Sequence, residues 1–158
     1  MTKRSFLAAS LAGAGALLAG CNTLSVFNSV TPKDGGVKRI ARDIAFGDGP
    51  RQKYDVYAPA KAKTPLPIVV FFYGGGWNSG SKNDYAWMAY AVASMGYVVA
   101  LQDYRIVPSV TYPAFLDDNA AAVKHILSHA GDYGGDASGL ATMGQSAGGY
   151  AAVMMALD

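Results

Sequence analysis

Three short, almost wholly apolar segments separated by helical patterns constrain the fold of this 158-residue chain more than any other feature. They cover residues 68–72, 97–101 and 140–143, and their composition is typical of strands buried on both faces. Residues 84–95 carry apolar side chains at helical spacing. Because strands that alternate with helices form βαβ units, the sequence predicts an α/β fold with a mostly parallel sheet and helices on both faces.

The longest helical pattern lies between the second and third apolar segments. Its apolar stripe consists of Leu116, Ala120, Val123, Leu127 and Ala130. Pro113 near its start and Gly131 just past its end fit helix boundaries. Upstream, residues 38–57 alternate loosely around a Gly- and Pro-containing turn, which predicts two short strands. The folded part is therefore expected to cover residues 38–158.

The composition excludes several classes of protein. With 51% hydrophobic and 15% charged residues, the chain is not intrinsically disordered. It has 13 Lys and Arg against 11 acidic residues, and Lys3 and Arg4 lie in a predicted signal segment, so the remainder is near neutral. No basic stripe of the kind that nucleic acid requires is present, and nucleic-acid binding is not expected. Every acidic residue is Asp, which leaves no Glu in this chain for acid–base catalysis.

Residues 1–20 have the features of a signal peptide. The basic pair Lys3 and Arg4 precedes an apolar stretch over 6–19 that is too short to cross a bilayer. Cys21 follows and is the only cysteine, so no disulfide can form within the chain. Residues 18–21 resemble a bacterial lipobox, whose cysteine carries lipid after cleavage. The alternative is a generic secretory signal with an incidental cysteine.

The lipobox implies an exported, membrane-anchored lipoprotein. Cys21 would carry the lipid, two or more acyl chains would hold it stably in the membrane, and residues 21–37 would form the tether. In a Gram-negative host the resemblance favours the periplasmic face of the outer membrane.

The motif that points most directly to a catalytic residue is Gly-Gln-Ser-Ala-Gly at residues 144–148. It stands between a predicted strand and a predicted helix, which is the context of a nucleophile elbow with Ser146 at its tip. Small residues on either side are needed because the turn is tight. A glycine-rich turn with a passive serine is the alternative.

A second glycine-rich motif, residues 73–77, directly follows the strand at 68–72. Glycines expose backbone N–H groups that can stabilise a developing oxyanion. In an esterase-type site the donors would be Gly75, Gly76 and Ala147. A flexible loop is the alternative. A phosphate-binding P-loop fits poorly, because Ser81 precedes Lys82 where that motif needs lysine first.

Four motifs in order, at residues 73–77, 103–108, 133–136 and 144–149, resemble the α/β-hydrolase superfamily. The resemblance is greatest to its carboxylesterase and feruloyl-esterase-like branch, related to hormone-sensitive lipase. It implies Ser146 as the nucleophile and the three backbone donors as an oxyanion hole. It also implies that Asp103 and Arg105 brace the floor of the site. Tyr73 stands where the family more often has histidine.

The base that would activate Ser146 is missing from these residues. In this fold the acid and then the histidine follow the serine, yet no histidine follows Ser146. His125 and His129 precede it on a predicted helix, where they match a zinc helix only weakly and are expected to be surface residues. The sequence is therefore interpreted as the N-terminal part of a hydrolase, with no metal and no cofactor.

The leading hypothesis is a serine hydrolase that cleaves a small-molecule carboxylic ester through an acyl-enzyme. Trp77, Tyr104 and Tyr150 are candidates to line an acyl pocket, or equally to be ordinary packing. A truncated, inactive lipoprotein serving as a binding module or surviving as a relic is the second hypothesis. An amidase or arylformamidase that uses the same site is the third.

Overall fold

The structure is a computed structural model that describes residues 23–63 and 65–157. Contacts divide the chain into two units, with the boundary after Thr31. The signal peptide and Cys21 lie outside the described residues. In the first unit, a helix α1 (Thr23–Val30) occupies part of the expected tether, where the sequence shows no helical period. Hydroxyls of Ser29 and Thr31 donate to backbone carbonyls three and four residues earlier, at 2.7 Å each, and complete its last turn.

The second unit contains every element that the sequence predicts. In chain order these are β1 (Val37–Ala45), β2 (Lys53–Pro59), β3 (Leu66–Phe72), α2 (Ala86–Ala93), β4 (Val98–Gln102), α3 (Ala114–Ser128), β5 (Gly135–Gly144) and α4 (Ala147–Leu157). Short 3-10 turns precede α2 and β5, at Lys82–Tyr85 and Ala130–Tyr133.

The five strands form one sheet in the order β1-β2-β4-β3-β5. The three apolar segments pair in parallel, β3 with both β4 and β5, as βαβ units require. At the other edge β1 pairs with β2, and β2 with β4, in antiparallel fashion, so the sheet is mixed over the described residues. All five residues of β4 are buried, which fits its central position.

The strand β5 begins earlier than the apolar pattern predicts. Gly135 and Asp136 pair with Leu66 and Pro67, and the ladder then skips to Leu140 opposite Ile68. Just before the skipped residues 137–139, the Asp136 carboxylate accepts hydrogen bonds from the N–H and the hydroxyl of Ser138, at 2.9 and 2.7 Å. In this local turn a side-chain carboxylate, and not a neighbouring strand, accepts the hydrogen bond from the backbone N–H of Ser138. Hydropathy could not reveal it because the segment is small and polar.

The buried face of α3 differs from the predicted stripe. Ala120 is exposed, and Val123 and Leu127 are only half-buried. The helix instead buries Phe115, Leu116, Asp118, Asn119, Ala122 and Ile126. The helix that the stripe predicts is present, and Leu116 of the stripe is buried. The rest of the buried face departs from the stripe because two of its residues are polar, and each is satisfied by a side-chain hydrogen bond from a neighbouring element.

The predicted stripe of α3 faces an open groove. Together with Lys124 of α3 and Met155 of α4, its central residues line a space of about 420 Å³. A second groove of about 430 Å³ opens on α2 and β5, with Met88, Met95 and Met143 among its lining residues. Among the described strands β5 pairs on one side only, so apolar surface flanks a sheet edge.

Candidate active site

Ser146 lies in the tight turn between β5 and α4. Its φ of 53° falls in the left-handed region, which costs a residue with a Cβ about 1–3 kcal/mol. The residue is exposed, whereas Ala147 directly after it is buried. Strain at such a strand-to-helix turn projects the hydroxyl above the sheet edge. The structural context predicted for Ser146 is present, and its role as a nucleophile stays a prediction.

Two glycines of the motif are required by close packing. A Cβ on Gly148 would collide with the carbonyl oxygen of Phe72, and one on Gly144 would collide with the carbonyl of Gly148. The N–H of Gln145 donates to the same Phe72 carbonyl at 3.2 Å. The turn that carries Ser146 is therefore fixed against the carboxyl end of β3.

The residues that follow β3, 73–80, form a glycine loop with unusual backbone angles. Gly75, Gly76 and Trp77 have φ values of 143°, 58° and 60°. The first two are values that glycine adopts without steric cost. The Gly75 carbonyl accepts hydrogen bonds from the N–H and the hydroxyl of Ser79, at 3.1 and 2.9 Å, which curl the loop back on itself.

The glycine loop packs directly on the serine turn. A Cβ on Gly74 would collide with the Gln145 side chain and would lie 3.1 Å from Cβ of Ser146. The Ala147 N–H, at the start of α4, has no acceptor within its own helix. Gly74 of the glycine loop therefore lies against Ser146 from one side, and Ala147 follows Ser146 on the other. Their assignment to an oxyanion hole stays a prediction.

An aromatic cluster lies beside Ser146. Trp77 stacks on Phe115 at 5.5 Å and meets the edge of Tyr150 at 5.9 Å, while Tyr112 packs on Phe115 at 5.9 Å. Tyr150 is one helical turn after the serine. A hydrogen bond with Tyr112 raises the pKa of Tyr150, so the Tyr150 phenol is neutral near pH 7. Tyr112 is 62% exposed and Tyr150 41% exposed, which offers an accessible aromatic surface.

Tyr104, the third pocket candidate from the sequence, is packing. It is buried, its ring stacks on Tyr73 at 4.7 Å, and its hydroxyl donates to the Tyr73 carbonyl at 3.0 Å. Tyr73 is itself buried and also stacks on Tyr85 at 5.9 Å. Burial raises the pKa of Tyr73, which keeps the phenol neutral.

Arg105 braces the loop after β4, and the implied role of this loop as the floor of the site stays a prediction. Its guanidinium donates to both carboxylate oxygens of Asp118, at 2.7–3.1 Å, and its backbone N–H donates to the same group at 2.8 Å. Gln52 donates a further bond to Asp118 at 2.8 Å. The buried carboxylate ties the loop after β4, α3 and the turn before β2 together.

Asp103 is tied to two residues that sequence reasoning missed. Its carboxylate accepts the Lys82 N–H at 2.7 Å and lies 3.8 Å from the guanidinium of Arg51. Burial raises the pKa of Asp103, although the Lys82 N–H, the Arg51 charge and the Tyr73 hydroxyl act in the opposite direction. Arg51 lies outside the motifs, and Lys82 belongs only to the poorly fitting P-loop pattern. The partners of both residues are distant in sequence, so no local signal could have identified these contacts.

The ammonium of Lys82 belongs to a buried charge cluster. It donates to Asp43 and to Asp55 at 2.7 Å each, and Arg39 donates to Asp55 at 3.2 Å. Lys82 and Asp55 are 3% and 1% exposed. Burial alone would lower the pKa of Lys82, but its two carboxylate partners raise it on balance.

The two histidines contact groups other than the serine turn. His125 Nδ1 lies 2.9 Å from the buried Tyr54 hydroxyl, which also bonds the Tyr133 hydroxyl at 2.8 Å. The rings of His125 and His129 stack at 4.2 Å. Burial and the neighbouring His129 lower the pKa of His125. Both are half-buried rather than fully exposed, and their environment is structural.

Neither metal ligands nor a membrane span stand out in the described part of the chain. Among residues 23–63 and 65–157, no three His, Cys, Asp or Glu side chains gather as a metal site would require. Within the same ranges, every helix is too short or too polar to traverse a bilayer.

Comparison with known proteins identifies the family. Residues 54–158 match the family described as BD-FAE. The chain belongs to the BD-FAE family. It is an α/β-hydrolase of the hormone-sensitive-lipase-like esterase branch, as the four motifs predict. The match begins at β2 and includes the glycine loop and the serine turn.

Relatives of this BD-FAE chain include esterases from plants and bacteria. It is 35% identical over 121 residues to a probable isoprenylcysteine α-carbonyl methylesterase of Oryza sativa, covering 77% of this chain and 29% of that protein. It is 41% identical over 103 residues to the carboxylesterase NlhH of Mycobacterium tuberculosis, covering 64% of this chain and 32% of that protein. The chain thus spans about a third of the length of the curated relatives it matches.

Solved esterase structures share the fold. Esterase B of Lactobacillus rhamnosis superposes with a TM-score of 0.79 at 26% identity, over 94% of this chain and 49% of that chain. A bacterial heroin esterase superposes with a TM-score of 0.66 at 28% identity, over 95% and 44% respectively. The α/β-hydrolase fold class predicted from the sequence is confirmed.

Proposed function

We propose that the whole protein to which these residues belong is a serine carboxylesterase with Ser146 as its nucleophile. The observation that carries the proposal is the exposed, strained serine turn against which the glycine loop packs. The same pairing of a serine turn with backbone donors performs acyl transfer in α/β-hydrolases. Relatives named as carboxylesterases support the reaction class.

In the proposed reaction a histidine takes the proton from Ser146 Oγ as that oxygen bonds to the ester carbonyl carbon. The carbonyl electron pair moves to oxygen, and the N–H groups of Gly75, Gly76 and Ala147 stabilise the oxyanion. The intermediate collapses, and the alcohol leaves with the proton from the histidine. Water then repeats the sequence on the acyl-enzyme and releases the acid.

The histidine and its orienting carboxylate belong, in this proposal, to sequence beyond residue 158. The chain order of the fold is serine, then acid, then histidine. His125 precedes the serine and is bonded to Tyr54. We accordingly expect activity from the full-length protein and none from residues 21–158 alone.

The substrate is proposed to be a small ester whose acyl or alcohol group lies on the aromatic cluster of Trp77, Tyr112, Phe115 and Tyr150. These rings provide an apolar surface that is accessible beside Ser146. Aromatic faces bind flat or apolar groups with about 0.5–1.5 kcal/mol beyond simple area burial.

Substitution of the nucleophile tests the proposal. We expect Ser146→Ala in the full-length protein to lower kcat for a short-chain aryl ester by at least roughly 10⁴-fold. A phosphonate inhibitor should add its mass to the peptide that contains Ser146 in the wild type only. Ser94→Ala is the matched control, because that hydroxyl only caps α2 by bonding the Ala91 carbonyl. Unchanged turnover by Ser146→Ala would remove the nucleophile assignment.

The same measurements separate the alternatives. A folded full-length protein without Ser146-dependent turnover would favour the inactive binding module or relic. Preference for an anilide or a formamide over the matching ester would favour an amidase or arylformamidase, since both reactions use the same site.

We also propose export and a lipid anchor on Cys21, from the signal-like residues that precede it. The intact mass of the membrane-extracted protein tests the proposal. We expect the measured mass to equal that of a chain that begins at Cys21 and carries acyl groups on that residue. A mass that shows an unmodified Cys21 would contradict the proposal.

A further inference from the structure

One guanidinium reaches both ends of the glycine loop. Arg51, in the turn before β2, donates from Nη2 to the Tyr73 hydroxyl at 2.6 Å and to the Gly80 carbonyl at 2.7 Å. Its Nε donates to the Tyr104 carbonyl at 2.8 Å. Tyr73 is the first residue of the loop and Gly80 the last, so a single side chain closes it.

The two ends of the loop lie against each other. A Cβ on Gly80, whose φ is 94°, would lie 2.7 Å from the Gly74 carbonyl oxygen and 2.9 Å from the Tyr73 ring. The ring is in turn held between Tyr85 and Tyr104. Because the Tyr73 phenol is fixed by this stack, Arg51 has a rigid point from which to hold Gly80.

We propose that Arg51 is a positioning residue that sets the direction of the glycine-loop N–H groups. The inference rests on the proposed function, since those N–H groups, of Gly75 and Gly76, are the proposed oxyanion donors. Arg51 acts through the loop and does not touch the reacting atoms. A shift of about 1 Å in such donors lowers rates by roughly 100-fold.

The chemistry of the site requires arginine. Three acceptors, on Tyr73, Gly80 and Tyr104, are bonded from two nitrogens of one planar group. Lysine has a single nitrogen on a flexible stem and cannot reproduce this fork. The Asp103 carboxylate lies 3.8 Å from the Arg51 guanidinium and compensates its positive charge. Arg51 therefore acts on the site by holding the loop in position more than by the electrostatic effect of its charge on Ser146.

The Tyr73 hydroxyl links the two charged groups. It accepts from Arg51 at 2.6 Å, and its hydrogen bond to Asp103 lowers the pKa of that carboxyl against the effect of burial. Loss of this hydroxyl should therefore affect the loop in the same way as loss of the guanidinium fork. The two residues are expected to act as one unit.

The test is a double-mutant cycle in the full-length protein, with Arg51→Lys, Tyr73→Phe and the double variant assayed on a short-chain aryl ester. We expect each single variant to lower kcat roughly 10- to 100-fold with KM changed less than about threefold. The double variant should lose little more than either single one. A wild-type kcat in Arg51→Lys, or fully multiplicative losses, would overturn the inference.

Arg39→Met is the matched control. The Arg39 side chain is 32% exposed and pairs with Asp55, much as the Arg51 side chain, 31% exposed, pairs with Asp103. We expect Arg39→Met to lower the free energy of unfolding while kcat stays within about twofold of the wild type. An equal fall in kcat in this variant would mean that Arg51 merely stabilises the fold.

Hydrogen exchange provides a readout that does not depend on turnover. Amides in residues 73–80 should exchange faster in Arg51→Lys and in Tyr73→Phe, while those of β4 stay at the wild-type rate. Unchanged exchange in the loop would overturn the inference. If the wild type lacks turnover, the proposed function fails, and the exchange rates still decide whether Arg51 holds the loop.

Discussion

At the scale of single residues, the second unit stabilises its site region with charges inside the fold. Lys82 begins the 3-10 turn after the glycine loop, and its side chain crosses to Asp43 on β1 and Asp55 on β2. A buried charge is tolerated only when it is paired and hydrogen-bonded. Asp55 satisfies this condition with two cationic partners, Lys82 and Arg39.

Removal of the ammonium should destabilise the protein severely. We expect Lys82→Met to lower the free energy of unfolding by about 3–5 kcal/mol, because it leaves the buried Asp55 with Arg39 as its one cationic partner and Asp43 paired with the exposed Arg42. Lys38→Met, at an exposed position on β1, should cost less than about 0.5 kcal/mol. Denaturant unfolding of both variants measures the difference, and equal midpoints would contradict it.

The pH dependence of this cluster follows from its pKa shifts. Lys82 lowers the pKa of Asp43 below the unfolded value of 3.8. The stabilisation by the Lys82–Asp43 pair is thus fully present when the pH is above the unfolded pKa of Asp43. It is lost as the pH falls through the lower pKa that Asp43 has in the folded protein. Lys82→Met should remove this part of the acid sensitivity, an effect visible in the same unfolding experiments.

At the scale of elements, apolar runs and motifs predicted which segments form strands and helices, and long-range polar contacts decided the rest. The strands β3 and β4 were predictable because an uninterrupted apolar run has few alternatives. The buried face of α3 was not, since Asp118 and Asn119 enter the core through bonds to Arg105 and Gln102, which are distant in sequence. Likewise, Ser146 was identifiable from its motif, whereas Arg51 was not.

The junction between β3 and α4 gives an element-scale prediction. Gly148→Ala should prevent α4 from docking, because its Cβ would collide with the Phe72 carbonyl. We expect a loss of more than about 3 kcal/mol or failure to fold. Gly149→Ala is the matched control, since its nearest neighbour, the Gly144 carbonyl oxygen, is 3.7 Å from the added atom. Comparable stability of the two variants would contradict this packing argument.

At the scale of the whole molecule, apolar surface is concentrated around β5. Grooves of about 420 and 430 Å³ open on α3 and on α2, and Val153 and Leu157 of α4 are 56% and 80% exposed. Contiguous apolar surface beside a strand edge promotes association. Three residues of the apolar stripe that predicted α3, Ala120, Val123 and Leu127, line one of these grooves.

Residues 21–158 produced alone should therefore associate and bind a hydrophobic dye. We expect Met95→Lys with Leu157→Lys, at sites 72% and 80% exposed, to raise the monomer fraction in sedimentation experiments. Ser94→Lys is a control that adds charge without removing apolar surface. A monomeric wild-type chain with no dye binding would contradict this prediction.

The pairing of Phe72 with Gly144 has a consequence for synthesis on the ribosome. The glycine loop follows one of these residues and the serine follows the other, so the two halves of the site are translated far apart. Because chains emerge at about 5–20 residues per second, the loop is made several seconds before the serine turn reaches it. Arg51 and Tyr73 are both translated early, so the hydrogen bond between them can form before Ser146 is added to the chain.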